Sequence, residues 1–283
     1  MVIRELLQKG TLILKEAEKQ SAHLDASVLL CHALNVDKAY LIINSEKEVS
    51  EDIEKTYLGF IEKRKNDMPV SYITNQKEFM SLDFYVDKNV LIPRPDTEVL
   101  VEHIIDLGFE EPKILDLCSG SGCIGISLAH YIKGAKVSMV DISDIALEIS
   151  KKNAENILSS LENVQFYKKD VLNDDFSSFQ GFDILVSNPP YIDKKTMKTL
   201  EKNVFDFEPH LALDGGEDGL MFYRKISEIA PKILKSGGIL AFEIGDTQAK
   251  DVYNIMEENG FSNIKIIKDL AGKDRVLEGS VVK

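Results

Sequence analysis

The sequence predicts an α/β protein: a mostly parallel sheet with helices on both faces, preceded by a smaller helical region. Three observations carry this. From residue 113 onward, short apolar runs alternate with longer stretches at helical spacing. The first run leads into a glycine-rich loop that opens a helix, Asp116-Leu117-Cys118-Ser119-Gly120-Ser121-Gly122. A later run, 182–187, is stopped by Asn188-Pro189-Pro190-Tyr191, and proline fixes φ and removes a backbone donor.

The elements follow in order. Residues 1–75 read as helices and form the predicted recognition domain. Leu6, Leu7, Leu12, Leu14 and Ala17 give one amphipathic stretch. Ala26, Leu29, Leu30, Ala33 and Leu34 give a second, and 51–65 a third. Residues 76–93 read as a linker, with a β-hairpin over 78–87 and a stiff extended segment, Leu91-Ile92-Pro93-Arg94-Pro95. The third region, 94–283, begins with a helix whose first turn is acidic (Asp96, Glu98). Strands are expected over 113–117, 136–140, 164–167, 182–187 and 239–244, and near Ile264 and Val276. Helices are expected over 122–131, 143–158, 220–234 and 249–259, and a long insert over 193–218.

At 283 residues the chain is long enough for two domains with ordinary cores. Its net charge is −13, whereas a protein gripping bare duplex presents a basic face. A protein or small-molecule substrate fits that field better, and no direct nucleic-acid partner is expected. Met1 to Leu7 already show helical periodicity and charge, unlike a signal peptide. No apolar run is long enough to cross a bilayer, so no membrane partner is expected. The three cysteines, Cys31, Cys118 and Cys123, and five scattered histidines argue for a reducing cytoplasm and against disulfides or a zinc site. A monomer is expected.

Gly120, Gly122 and Gly125 fit G-x-G-x-x-G, and the helix N-terminus behind them offers free N–H groups. The pattern serves two ligands, a dinucleotide or S-adenosylmethionine. Asp116 favours the second, because a carboxylate there repels pyrophosphate and suits an ammonium and a sulfonium. Asp141, ending the second strand, is placed to bind ribose hydroxyls in either case. Asp170, after the third, is placed for an adenine amino group or serves as a loop acid. Asn188, at a strand end where open sheets bind ligands, offers a side-chain amide to a planar NH2 group.

With these residues in view, the chain resembles the HemK/PrmC family of class I methyltransferases. The similarity runs through Val90-Leu91-Ile92-Pro93-Arg94-Pro95-Asp96-Thr97-Glu98, the loop 114–122, Asn188-Pro189-Pro190-Tyr191-Ile192, and Phe207-Glu208-Pro209-His210-Leu211-Ala212-Leu213-Asp214-Gly215-Gly216. The resemblance implies a Rossmann-like domain with a seven-stranded sheet and an antiparallel last strand. It also implies transfer of a methyl group from S-adenosylmethionine to a glutamine side chain of class I peptide-chain release factors. Asn188, Pro189, Pro190 and Tyr191 are then the catalytic residues. The Asn188 oxygen and the Pro189 carbonyl accept from the amide NH2, and Tyr191 flanks the glutamine. Asp116, Cys118, Ser119, Gly120, Ser121, Gly122, Asp141, Asp170, Val171 and Asn188 form the cofactor site, and no metal is implied. Two departures stand out. Cys118 replaces a usual glycine, and Val171 stands where some relatives carry an aromatic residue that stacks on adenine.

Three other readings compete. An adenine-N6 DNA methyltransferase uses the same corner but needs a basic cleft for a flipped base. A dinucleotide-dependent oxidoreductase leaves Asn188-Pro189-Pro190-Tyr191 without a role. A non-catalytic binding module leaves the whole corner unused. His130, His210, Arg94, Cys31 and Cys123 are expected to serve structure: a helix-end cation, a loop former, an ion pair and apolar packing.

Overall fold

A computed structural model describes residues 1–281, and the chain divides into two compact units. The first comprises Met1–Gln76 and Glu201–Phe207. The second comprises Lys77–Leu200 and the chain from Glu208 onward.

The first unit contains α1 (Ile3–Glu16), α2 (Ala22–Leu34), α3 (Lys38–Ile43), α4 (Glu51–Lys65) and α5 (Val70–Thr74). Their apolar faces meet in a core that includes Leu6, Leu14, Leu29, Leu30 and Tyr57. Leu12, assigned to that apolar stretch from the sequence, is 58% exposed. It lies about 200° around α1 from Leu14, which turns it to solvent. The short α3 escaped the periodicity reading, since six residues make fewer than two turns. It is fixed by a cap instead: the Asp37 carboxylate accepts from Tyr40 N at 2.8 Å.

A hairpin follows, β1 (Gln76–Phe79) and β2 (Leu82–Tyr85), which belongs to the second unit from Lys77 onward. Its two-residue turn, Met80-Ser81, has positive φ at both positions, 50° and 56°, without glycine or asparagine. Met80 is held on both sides: its N–H donates to Glu98 Oε1 at 2.7 Å, and its carbonyl accepts from Tyr131 OH at 2.6 Å. Next comes α6 (Pro95–Asp106), with proline in its first turn where no N–H is missed. The alternating series follows: β3 (Lys113–Leu117), α7 (Cys123–Tyr131), β4 (Lys136–Asp141), α8 (Asp144–Ile157), β5 (Val164–Lys168) and β6 (Phe182–Ser187). The insert carries two single-turn helices, α9 (Lys194–Met197) and α10 (Lys202–Phe205), and α10 belongs to the first unit. Last come α11 (Met221–Ile233), β7 (Leu234–Glu243), α12 (Ala249–Glu258), β8 (Phe261–Lys268) and β9 (Asp274–Val281).

The seven strands lie in the order β5-β4-β3-β6-β7-β9-β8, with β3 to β7 mutually parallel and β9 antiparallel to both neighbours. The chain first builds outward from β3 to β4 and β5, then returns to place β6 on the other side. The crevice between the C-terminal ends of β3 and β6 is therefore the switch point where open sheets bind ligands. Two layers of core flank the sheet. β7 starts at Leu234 rather than near 239, and the register shifts between the Phe182 and Ile184 pairings. Gly237 at φ 76° and Gly238 give the chain room for that irregularity. Among the described residues no helix is long and apolar enough to cross a membrane.

Candidate functional site

At the switch point the residues after β3 turn sharply. Cys118 itself takes a left-handed φ of 62°, followed by Gly120 at 55° and Gly122 at 80°. The turn therefore keeps its left-handed backbone at Cys118, where a side chain costs about 1–2 kcal/mol. Bonds to neighbouring elements hold the loop. Ser119 N donates to Val140 O at 3.0 Å, Gly120 N to Asp141 Oδ2 at 2.8 Å, and Gly122 N to Ser119 O at 2.8 Å. Asn153 on α8, fully buried, joins the loop to the hairpin. Its Nδ2 donates to Ser121 O at 2.9 Å and Tyr85 O at 3.0 Å, while its Oδ1 accepts from Tyr85 N at 2.7 Å.

A cavity of about 420 Å³ opens beside this loop. Its walls bring together Cys118, Gly120, Asp141, Asp170, Val171, Asn188 and Pro190, which are well separated in sequence. Asp116, Ser119, Ser121, Gly122, Pro189 and Tyr191 are not among the lining residues.

Asp116 sits inside β3 with no exposure. Its Oδ2 accepts from Gly125 N at 3.0 Å, in the first turn of α7. Its Oδ1 is buried without a hydrogen-bond partner. Burial pushes its carboxyl up to about 8, against the pull of the Gly125 bond. A side chain at Gly125 would clash, because a Cβ there would come within 2.9 Å of Asp116 Oδ2 and 2.7 Å of Met139 Cγ.

The other acids occupy the rim. Asp141 uses Oδ2 for Gly120 N and Oδ1 for Ser143 N at 2.9 Å, leaving one lone pair on each oxygen for a further donor. Burial raises its pKa, and the two backbone bonds oppose the rise. Asp170 folds its own turn: Oδ1 accepts from Leu172 N at 2.8 Å and Oδ2 from Asn173 Nδ2 at 2.7 Å. Val171 is buried and forms an apolar wall. The Cys118 thiol is pushed well above its ordinary range by burial and by the charges of Asp141 and Asp116, so it stays neutral.

Asn188 ends β6. Its Nδ2 donates to Thr97 Oγ1 on α6 at 3.3 Å. Pro189 and Pro190 are buried, and Tyr191 packs at the edge of one core layer. The backbone of this corner is pinned from below. Gln248 Nε2 donates to Tyr191 O at 3.1 Å and to Gly219 O at 3.3 Å. Ile192 N donates to Leu213 O at 3.0 Å, and Gly215 N to Ile192 O at 2.9 Å. Gly219, at φ 74°, passes so close that a Cβ would lie 2.4 Å from Tyr191 O. Burial, then the charge of Glu243, pushes the Tyr191 phenol far above its ordinary range, so it stays protonated.

Arg94 pairs with Glu208, which is 4% exposed and also accepts from Ile92 N at 3.4 Å. This ties the 91–95 segment to the insert beside Leu91 and Pro209, both on the cavity wall. The sequence reading did not pick out Thr97, Asn153, Glu243 or Gln248 as site residues. Glu243 carried a signal, being a lone acid at the end of an apolar strand run. Among the described residues no group of His, Cys, Asp and Glu is arranged to hold a metal ion.

The PrmC N-terminal domain model matches residues 5–74, and the methyltransferase small domain model matches residues 94–217. A release factor glutamine methyltransferase of Clostridium acetobutylicum is 44% identical over 280 residues, covering 98% of each chain. Its namesake in Clostridium botulinum is 40% identical over 282 residues, covering 98% of this chain and 99% of its own. A crystal structure of a methyltransferase from Pyrococcus furiosus shares the fold, with a TM-score of 0.52 and 19% identity, covering 73% of this chain and 92% of that one.

Proposed function

The chain belongs to the release factor glutamine methyltransferases, and we propose that it moves a methyl group from S-adenosylmethionine to a glutamine side-chain nitrogen of a class I peptide-chain release factor. The polarity of Asn188 carries this reading. Its NH2 is committed inward to Thr97, so its Oδ1 is left for a planar NH2 donor at the mouth of the cavity.

The residues present fit the donor. The unpartnered, buried Asp116 Oδ1 beneath the loop is an open acceptor, and a cationic ligand nearby would favour its charged form against the burial that raises its pKa, whereas a pyrophosphate would not. Gly120 has open space where a Cβ would stand, which lets a ligand approach the backbone. Asp141 retains acceptor capacity for hydroxyls, and Val171, Ala146 and Phe222 offer an apolar slot. When bound, S-adenosylmethionine supplies an electrophilic methyl on a sulfonium.

The chain's own residues do the rest. An amide nitrogen is a weak nucleophile because its lone pair is shared with the carbonyl. The Asn188 Oδ1 and the Pro189 carbonyl accept its two hydrogens and aim the nitrogen into the cavity. Tyr191 flanks the glutamine side chain and excludes water. Alignment of this kind contributes roughly 7–11 kcal/mol in well-oriented reactions. Attack by the neutral nitrogen leaves an N-methylated amide cation and a neutral thioether, and that cation, far more acidic than the neutral amide, gives its proton to a nearby acceptor without a dedicated base.

Incubation with methyl-labelled S-adenosylmethionine and either release factor or DNA tests the proposal. Label in the release factor supports it, and label in DNA overturns it. Titration calorimetry adds a second arm: binding of S-adenosylmethionine but not NADH is expected.

A further inference from the structure

We infer that Arg275, through its ion pair with Asp96, is a positioning residue for the methyl acceptor: it holds the first turn of α6 so that Thr97 keeps the Asn188 amide turned for the substrate. The inference rests on the proposed role of Asn188 as the holder of the substrate amide.

β9 brings Arg275 to the site. It runs antiparallel to β7 with Val276 opposite Glu243, so Arg275 falls beside Ile244 at the C-terminal end of β7. Ile244 N donates to Arg275 O at 2.9 Å, and Arg275 Nη1 to Ile244 O at 3.5 Å. Asn188 ends β6 on this same edge of the sheet, because β6 and β7 are parallel. The Arg275 side chain is 8% exposed, and its Nη2 lies 3.0 Å from Asp269 Oδ2 and 3.0 Å from Asp96 Oδ2. One buried guanidinium therefore bridges two carboxylates, Asp269 in the turn between β8 and β9 and Asp96 on α6.

The first turn of a helix is its least secured part, since its N–H groups have no partners within the helix. In α6 that turn is secured from outside. Before Pro95, Arg94 pairs with the buried Glu208. After it, Asp96 pairs with Arg275. Thr97 comes next, and its N–H closes the turn onto Arg94 O at 3.0 Å. The buried Thr97 hydroxyl accepts from Asn188 Nδ2 at 3.3 Å. A bond of that length has little slack, so a small outward movement of the turn breaks it. Asn188 then loses the contact that decides which of its two amide atoms faces the substrate. Arginine suits this post because its planar fork reaches both carboxylates at once, whereas a lysine ammonium acts as a point charge. The arrangement also separates positioning from stability. Asp96 is 55% exposed, and Arg275 keeps Asp269 when Asp96 is removed, so no buried charge is stranded.

The test compares Asp96→Ala and Asp96→Asn with the parent, each alone and in an Arg275→Lys background. Saturated turnover of a release factor, its KM, the affinity for S-adenosylmethionine and the thermal midpoint are measured. Asp96→Ala should lose turnover on the order of ten- to a hundredfold, as a small misplacement does, with KM, cofactor affinity and midpoint close to the parent. Asp96→Asn, whose amide oxygen still accepts from the guanidinium, should recover most of that loss. In the Arg275→Lys background the Asp96→Ala change should cost little, since the pair it breaks is already disrupted. Parent-like turnover in Asp96→Ala, a fall in turnover matched by an equal fall in cofactor affinity, or an undiminished loss in the Arg275→Lys background overturns the inference. The Asp96 series alone decides the matter should Arg275→Lys fail to fold. A parent that binds S-adenosylmethionine yet methylates no release factor would instead remove the proposed function, and this inference with it.

Discussion

Asn188 Nδ2 stands 3.3 Å from Thr97 Oγ1, joining the end of β6 to the first turn of α6 across 91 residues of sequence. That contact turns the Asn188 NH2 toward Thr97 and leaves its Oδ1 available as an acceptor.

Asn188→Ala removes the acceptor and leaves the glycine loop intact. Turnover should fall about 10²–10³-fold, the usual effect of deleting one preorganised hydrogen-bonding group. The affinity for S-adenosylmethionine, read by calorimetry, should fall only a few-fold. Near-normal turnover would refute the role given to the corner.

Gly219→Ala attacks the corner from below. The residue sits at φ 74°, and a Cβ would come within 2.4 Å of Tyr191 O. Strain in the left-handed region alone costs about 1–2 kcal/mol, and the clash must also shift Tyr191. Urea unfolding should report the loss in stability, and turnover should fall more than cofactor affinity.

Asn153→Ala would remove three hydrogen bonds between α8, the glycine loop and the hairpin. Buried backbone groups left unpaired cost about 1–3 kcal/mol each, so thermal unfolding should shift clearly downward. Cofactor affinity should drop along with it, because the Ser121 carbonyl loses its anchor.

Stability should decline as pH rises through neutrality. Glu243 and Asp116 are raised by burial to about 7 and about 8, from ordinary values of 4.5 and 3.8. Between these limits the folded chain holds protons that the unfolded chain has released. The contribution is complete below the ordinary values and is lost as pH climbs past the raised ones. Urea midpoints across the neutral range should show this slope, and the pair Glu243→Gln and Asp116→Asn should flatten it.

Much of the site is local in sequence and could be read there. The glycine loop declares itself by its spacing, and Asn188 by the prolines behind it. Asp116 shows the limit of that reading. Its place in β3 was legible, but its orientation beneath the loop depends on Gly125 and Met139 packing against it. Thr97 reaches Asn188 only through the docking of α6, which no local pattern encodes. The cavity walls at Val90, Leu91, Pro209, Leu211 and Ala212 come from segments without periodicity, so only their resemblance to family motifs marked them and not their spacing. The hairpin turn at Met80-Ser81 lacks the usual glycine or asparagine and is fixed by Glu98 and Tyr131 from elsewhere in the chain.

The most direct test is peptide mass spectrometry of a class I release factor after incubation with this protein and S-adenosylmethionine. The account predicts a single added methyl, located by fragmentation on the side-chain nitrogen of one glutamine, and none with Asn188→Ala. A methyl on any other side chain, or a release factor left unchanged by active, cofactor-binding protein, would contradict it.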